Sequence, residues 1–253
     1  MVERSDRTAV ATFFSTDTFA AGTHVSLGED AAQHARVLRL GPGDPVELRD
    51  GAGRAARGSV ARIAKRSISV NVVDAWDIPS TPEIHMLVPV GDRDHMLLLA
   101  EKLTELGASS WRPVIWRRSK SVAGRGEGPT FVARIRARMI SALTQSGGGW
   151  IPEIHPSANV ERAISASPAG HRILLDARSD TAMLSSQLNF PLVIALGPEG
   201  GLADDERQQM IDAGFAPRRI ATAILRFETA GITALGIARA VADASNKKEE
   251  TET

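Results

Sequence analysis

From residue 84 onward the sequence alternates short apolar runs with stretches of helical period, and this constrains the fold more than any other feature. Residues 84–90, 111–116, 172–176, 192–196 and 218–222 read as strands. Residues 92–106, 130–146, 159–166, a short stretch at 182–188, a segment starting near Asp204, and 229–245 read as helices. In 130–146, Phe131, Ile135, Met139 and Leu143 recur at helical spacing. Asp92 or Asp94 opens the 92–106 helix and Gly107 ends it. Strands alternating with helices predict a mostly parallel sheet covered on both faces.

Ahead of this region the pattern is different. Residues 8–14, 45–48, 55–64 and 67–73 read as short strands, and residues 29–40 as one helix broken by Gly41-Pro42-Gly43-Asp44. A turn falls at Asp50-Gly51-Ala52-Gly53. Several short strands with Gly turns predict a small barrel or sandwich. Pro79 and Pro82 mark a linker at 77–82. The expected organisation is therefore a small β-rich domain at 1–78, an α/β domain at 79–246, and a polar, disordered tail at 247–253.

Composition narrows the function. Apolar residues make up 43% and charged residues 24%, as in ordinary globular proteins. No apolar run reaches membrane-spanning length, and residues 1–10 lack the apolar core of a signal peptide, so a cytoplasmic location without a membrane partner is expected. The absence of cysteine rules out disulfides, thiolate zinc sites and cysteine nucleophiles. His24, His34, His85, His95, His155 and His171 form no metal-ligand spacing, so no metal is expected and each reads as a surface or satisfied core residue. No Gly-x-Ser-x-Gly elbow appears.

Two strand-to-helix loops stand out. Residues 192–206 read LVIALGPEGGLADDE, an apolar run ending in Gly197-Pro198-Glu199-Gly200-Gly201. Without a Cβ, these glycines permit positive φ and let a ligand lie against the backbone. The spacing matches neither a dinucleotide fingerprint nor a P-loop. The backbone amides of Gly197, Gly200 and Gly201 are thus available to an uncharged ring or a ribose; the alternative is a tight turn with no ligand. Residues 221–233 read ATAILRFETAGIT and repeat the arrangement, so the two loops can wall one pocket. Arg226 and Glu228 stand at the mouth of the last helix, where a capping-region residue and a dipole-stabilised acid are the alternatives. Ala230, Gly231, Ala234, Gly236, Ala238 and Ala240 make that helix small-sided, which suits close packing against a neighbour or a partner subunit.

Net charge is zero, but its distribution is uneven. Arg112, Arg117, Arg118, Lys120, Arg125, Arg134, Arg136 and Arg138 fall in one span whose only acid is Glu127. A one-signed run of this kind suits a nucleic-acid backbone; the alternative is a solvated face.

With these residues in view, the chain resembles the RsmE-type family of 16S ribosomal RNA uridine N3-methyltransferases, in the SPOUT superfamily. The similarity covers nearly the whole chain. Residues 30–43 (DAAQHARVLRLGPG) look like the family's PUA-like RNA-binding domain. KLTELG at 102–107, Gln145-Ser146, IPEI at 151–154, GPEGGL at 197–202, Leu225-Arg226 and Glu228-Thr229 look like its methyltransferase domain. The resemblance implies a trefoil-knotted α/β domain after a PUA-like β-barrel. It also implies S-adenosylmethionine as cofactor, the 30S subunit or its 16S rRNA as partner, and a homodimer. Carried over by motif, Arg226 and Glu228 are the catalytic candidates. The cofactor candidates are Leu175, Leu196, Gly197, Pro198, Glu199, Gly200, Gly201, Ala221, Ala223, Ile224, Leu225, Arg226 and Thr229. The RNA-binding candidates are Arg36, Arg39, Arg93, Lys102, Arg117, Arg118, Lys120, Arg125 and Gln145. The chain departs from the family pattern at Thr144 and Gly148, where an acid and an Arg are usual, at Trp150, where a basic residue is common, and at Arg93, which replaces a Lys. These changes bear on target identity. Two further readings stay open: a SPOUT enzyme acting on another RNA base or a ribose, and a non-catalytic RNA-binding paralogue.

Overall fold

A computed structural model of the chain describes residues 10–119, 128–183 and 187–251. The chain forms two compact units, Met1–Ser80 with Leu143–Trp150, and Thr81–Ala142 with Ile151–Thr253. The first boundary falls at the Pro-bounded linker, but residues 143–150 join the N-terminal unit rather than the α/β one.

The first unit holds β1 (Ala11–Phe14), β2 (His24–Leu27), α1 (Glu29–Val37), β3 (Pro45–Arg49), β4 (Arg54–Ile63) and β5 (Ile68–Asp77). They form a five-stranded sheet in the order β1-β3-β4-β5-β2, with β1 parallel to β3 and the other pairs antiparallel. Ile68, Val70 and Val72 alternate inward along β5 and meet Val46, Leu48 and Val60 from neighbouring strands and Ala32 and Ala35 from α1. Helix α1 stops three residues before its expected end at Leu40. Arg39 takes φ 57°, Leu40 N–H donates to Ala35 O at 2.9 Å, and Arg39 N–H donates to Arg36 O at 3.0 Å. This paired closure caps the helix before the Gly-Pro-Gly is reached. Gly53 has φ +92°, and a Cβ there would lie 2.1 Å from Trp150 Cζ2, so both conformation and space require glycine. Trp150, a departure from the family pattern, therefore serves to cover this turn.

The second unit holds β6 (Ile84–Pro89), α2 (Arg93–Glu105), β7 (Ser110–Ile115), most of α3 (Pro129–Ser146), β8 (Glu153–Ile154), β9 (Ala158–Asn159), α4 (Val160–Ser165), β10 (His171–Leu175), β11 (Leu192–Leu196), α5 (Asp204–Asp212), β12 (Ala216–Arg218) and α6 (Phe227–Thr251). The seven-stranded sheet runs β12-β10-β11-β6-β7-β8, with β9 also on β7, and every pairing is parallel. Successive residues of a strand face opposite sides. Leu192, Ile194 and Leu196 accordingly pack with α2, α3 and α6, whereas Val193 and Ala195 pack with α4 and α5. This is the covered parallel sheet that the alternation predicts.

Two expectations need correction. The strand expected at 218–222 lies instead at 216–218, and the chain from Arg219 to Arg226 is loop. Pro217 lacks an N–H and is tolerated because β12 is an edge strand. The last helix runs from Phe227 to Thr251, so most of the stretch expected to be a disordered tail is helical. The Lys and Glu residues at 247–250 are good helix formers and extend a helix already nucleated by packing. Some of the small residues of α6 pack inside the subunit, as expected of a close neighbour: a Cβ at Gly231 would lie 3.0 Å from both Leu99 and Leu196, and Ala234 and Ala238 are fully buried, whereas a Cβ at Gly236 would meet nothing within 4 Å and Ala240 is exposed. The short helix expected at 182–188 lies partly outside the described residues.

Candidate cofactor and catalytic site

Strands β10, β11 and β12 are neighbours and run parallel, so their carboxyl ends open onto the same edge of the sheet. The loops that follow them enclose a cavity of about 420 Å³. Open α/β sheets place ligands at this edge, and the volume suits a small molecule. Of the thirteen cofactor candidates, all line the cavity except Arg226 and Thr229. Sequence reasoning missed Asp176, Ala177 and Arg178 after β10, and Leu202, Arg218, Ile220, Phe227 and Ala230. The signal for Asp176, Ala177 and Arg178 was adjacency of β10 to β11, which no local motif encodes, whereas Leu202, Phe227 and Ala230 lie within the two loops already singled out.

The glycines of the first loop do different jobs. Only Gly201 has positive φ, at +72°. A Cβ at Gly200 would stand 2.9 Å from the Arg118 carbonyl oxygen, so the close neighbour there is the chain's own backbone. Gly201 N–H donates to Pro198 O at 2.9 Å and closes the turn. Arg118, expected to meet RNA, lines this cavity and donates to Leu202 O at 3.3 Å.

One cavity wall is held by an ion cluster built around a buried carboxylate. Asp176, 7% exposed, accepts from Arg207 Nε and from the backbone and side chain of Arg178, and Arg178 also reaches Asp204 at 2.8 Å. Burial opposes charge on Asp176. The Arg207 hydrogen bond, the Arg178 backbone bond and the two guanidinium charges outweigh it and hold the carboxyl below its ordinary range.

The two catalytic candidates meet at the start of α6. Arg226 O accepts from Ala230 N–H at 2.9 Å, which makes Arg226 the N-cap residue. Glu228, in the first turn, is 5% exposed, and its Oε2 is buried without a hydrogen-bond partner. Between them stands His95, a residue that sequence reasoning set aside. Its Nε2 is 3.4 Å from Arg226 Nη1. Its Nδ1 is 3.7 Å from Glu199, 3.9 Å from Glu228 and 4.0 Å from Asp92. Asp92 N-caps α2, accepting from Asp94 N–H at 2.9 Å and His95 N–H at 3.2 Å, and so fixes the turn that carries His95.

The RNA candidates are dispersed. Arg36 and Arg39 are exposed around the end of α1, where Arg36 donates to Ala64 O and Lys65 O at 3.1 Å each. Gln145 is exposed in the last turn of α3. Arg93 lies over the Phe131 ring, 5.6 Å from its centroid. Lys102 pairs with Glu105 at 2.8 Å and Glu101 at 2.9 Å, and Arg117 pairs with Asp205. Lys120 and Arg125 lie outside the described residues. Among the described residues no group of side chains has the makings of a metal site, and no helix is long and apolar enough to cross a membrane.

These features coincide with a known family. The RNA methyltransferase domain family matches residues 79–239, and the chain belongs to it. The RNA methyltransferase PUA domain family matches residues 27–73. The chain is similar to ribosomal RNA small subunit methyltransferase E of Mycobacterium bovis, with 29% identity over 240 residues and 90% of each chain covered. It is 28% identical over 209 residues to the protein of that name from Synechocystis, covering 79% of this chain and 67% of the relative. Among solved structures, that of ribosomal RNA small subunit methyltransferase E of Neisseria gonorrhoeae bound to S-adenosyl methionine superimposes with a TM-score of 0.83 at 25% identity, covering 92% of this chain and 98% of the other. A Legionella pneumophila protein solved with bound SAM superimposes at 0.84 with 23% identity, over 91% and 97% of the two chains, and shows the fold alone.

Proposed function

We propose that this protein transfers the methyl group of S-adenosylmethionine to N3 of a uridine in 16S rRNA of the small ribosomal subunit. The observation that carries this reading is a buried carboxylate, Glu228, whose Oε2 accepts no hydrogen bond, next in sequence to Phe227, which lines the cavity walled by the loops after β10, β11 and β12. Relatives named for small-subunit rRNA methylation, one of them solved with S-adenosyl methionine, supply the substrate and cofactor class.

The cavity fits the cofactor chemically. Leu175, Leu196, Leu202, Ile220 and Phe227 offer apolar walls for an adenine ring, and the 197–201 turn offers backbone. Glu199 lines the same cavity and presents a carboxylate suited to a cationic ligand. When bound, S-adenosylmethionine supplies an electrophilic methyl on a positive sulfur. The chain's own residues do the rest. Uracil N3 carries a proton at neutral pH, and Glu228 accepts it as the new N3–carbon bond forms and the sulfur–carbon bond breaks. Arg226 donates to the uracil oxygens as negative charge spreads onto them. The splayed-out base is held in line for attack by the two loops, and alignment supplies much of the acceleration.

Arg36, Arg39 and Gln145 from the first unit, and Arg93 and Arg118 from the second, are proposed to meet RNA or its phosphates. Lys102 and Arg117 reach RNA only by leaving their acidic partners. Lys120 and Arg125 complete the same set. A homodimer in the cytoplasm belongs to this reading on family resemblance, and light scattering tests the dimer.

The experiment is radiolabelled methyl transfer to 30S subunits and free 16S rRNA, wild type beside Arg226→Ala, followed by digestion to nucleosides. The expected product is 3-methyluridine, with the variant strongly impaired. Another methylated nucleoside would reassign the target. Tight S-adenosylmethionine binding with no transfer would favour an RNA-binding paralogue.

A further inference from the structure

His95 belongs to α2 yet meets three other segments: Glu199 from the loop after β11, Arg226 from the loop before α6, and Glu228 from α6. The N-cap residue of its own helix, Asp92, completes the ring of charged groups, and Phe227 packs edge-on at 6.2 Å between ring centroids. The two ring nitrogens face opposite chemistries. A guanidinium only donates hydrogen bonds, so the nitrogen facing Arg226 must accept. Ionised carboxylates only accept; Nδ1 is buried with no hydrogen-bond partner but faces Glu199, Glu228 and Asp92 at 3.7–4.0 Å, a setting that favours the proton on that nitrogen.

We propose that His95 is the positioning residue of this site, a neutral imidazole protonated on Nδ1 whose Nε2 lone pair holds the Arg226 guanidinium. The inference rests on the reading in which Arg226 and Glu228 act on the target base. The imidazole separates two groups that would otherwise neutralise each other. Placed directly against Glu228, Arg226 would engage the carboxylate's lone pairs and lose its own donors. With His95 between them, Arg226 makes no ion pair among the described residues, and Glu228 Oε2 makes no hydrogen bond. The base keeps a lone pair for a substrate proton, and the cation keeps donors for substrate oxygens.

Two measurements test this. Long-range proton–nitrogen NMR of full-length protein labelled with nitrogen-15 histidine, assigned with His95→Gln, reads the tautomer without any reaction. Nδ1 should carry the proton and Nε2 should show a free lone pair, and Arg226→Ala should abolish that preference. A wild-type His95 protonated on Nε2, or a tautomer indifferent to Arg226→Ala, would overturn the proposal. The second measurement is kcat at saturating S-adenosylmethionine. His95→Ala should lose about 100-fold, as misplacement by about 1 Å does. His95→Gln, whose amide both donates and accepts, should recover most of it. Cofactor affinity by calorimetry should stay within a factor of about two in both variants, since His95 lies outside the cavity lining. Wild-type kcat in His95→Ala, or no recovery in His95→Gln, would overturn the role. Absence of methyl transfer by the wild type would overturn the proposed function, and the tautomer would still decide the fate of His95.

Discussion

Asp176 and Glu228 are both buried carboxylates beside the same cavity, and they are held in opposite ways. Asp176 is saturated, with Arg207 on one oxygen and Arg178 on the other. Among the described residues Glu228 makes no ion pair with a guanidinium; its Oε2 accepts no hydrogen bond and lies 3.9 Å from His95 Nδ1. A carboxylate whose lone pairs are all engaged is a strut that ties β10 to α5. One left with a lone pair is available for chemistry. Burial alone therefore does not mark a functional acid; the state of its partners does.

The sharpest break of this contrast is by truncation. Asp176→Ala should lower the unfolding free energy by about 1.5–3 kcal/mol, because the charge-assisted hydrogen bonds from Arg207 and Arg178 are lost. Denaturant melts measure this, and a loss near zero would mean that the pair is not a strut. Glu228→Gln should leave stability unchanged or raised, since it removes a buried charge without a hydrogen bond on Oε2. Its methyl-transfer rate should fall about 100-fold or more, the scale of general-base catalysis. A variant that transfers at full rate would place the base elsewhere.

Acid sharpens the contrast with a smaller effect. The folded-state value of Asp176 lies below the ordinary 3.8. A depressed carboxyl stabilises the fold fully above its unfolded value and loses that contribution as pH falls through the folded one. The stability gap between wild type and Asp176→Asn should therefore hold at neutral pH and shrink only below about pH 3.8. A gap that closed near neutrality would contradict the assigned cause.

The sequence revealed some of this and hid the rest for physical reasons. The five apolar residues of β11 and the glycine turn after it are local signals, and both were legible. So was the change of period at the linker. Strand β12 was misplaced because Ile220 and Ala221 are apolar for a different reason: they line the cavity. Strands β8 and β9, of two residues each, are too short to show a period. Asp176 and His95 were invisible because their importance lies in residues brought close by sheet order. Arg207 is 31 residues from Asp176, and Arg226 is 131 from His95. Gly200 was legible as a loop glycine open to close approach, but the neighbour that makes a Cβ impossible there, the Arg118 backbone, was not.

The distinction between a group committed to the fold and one left available extends to the N-terminal unit. Arg39 occupies the left-handed residue of the α1 cap, φ 57°, where glycine is the usual occupant. Its neighbour Arg36 is bound to two carbonyls, whereas Arg39 is exposed. An arginine in this conformation is strained by about 1 kcal/mol relative to glycine, which has no Cβ to meet the carbonyl. Arg39→Gly keeps both closing hydrogen bonds, which are backbone to backbone. It should stabilise the protein by up to about 1 kcal/mol, less the entropy glycine adds to the unfolded chain. If the side chain is kept there to meet a phosphate, the same variant should bind 16S rRNA more weakly, with a salt slope shallower by about one unit. A variant that is more stable and binds RNA as well as wild type would make Arg39 incidental. One that is less stable would show that Arg39 supports the cap.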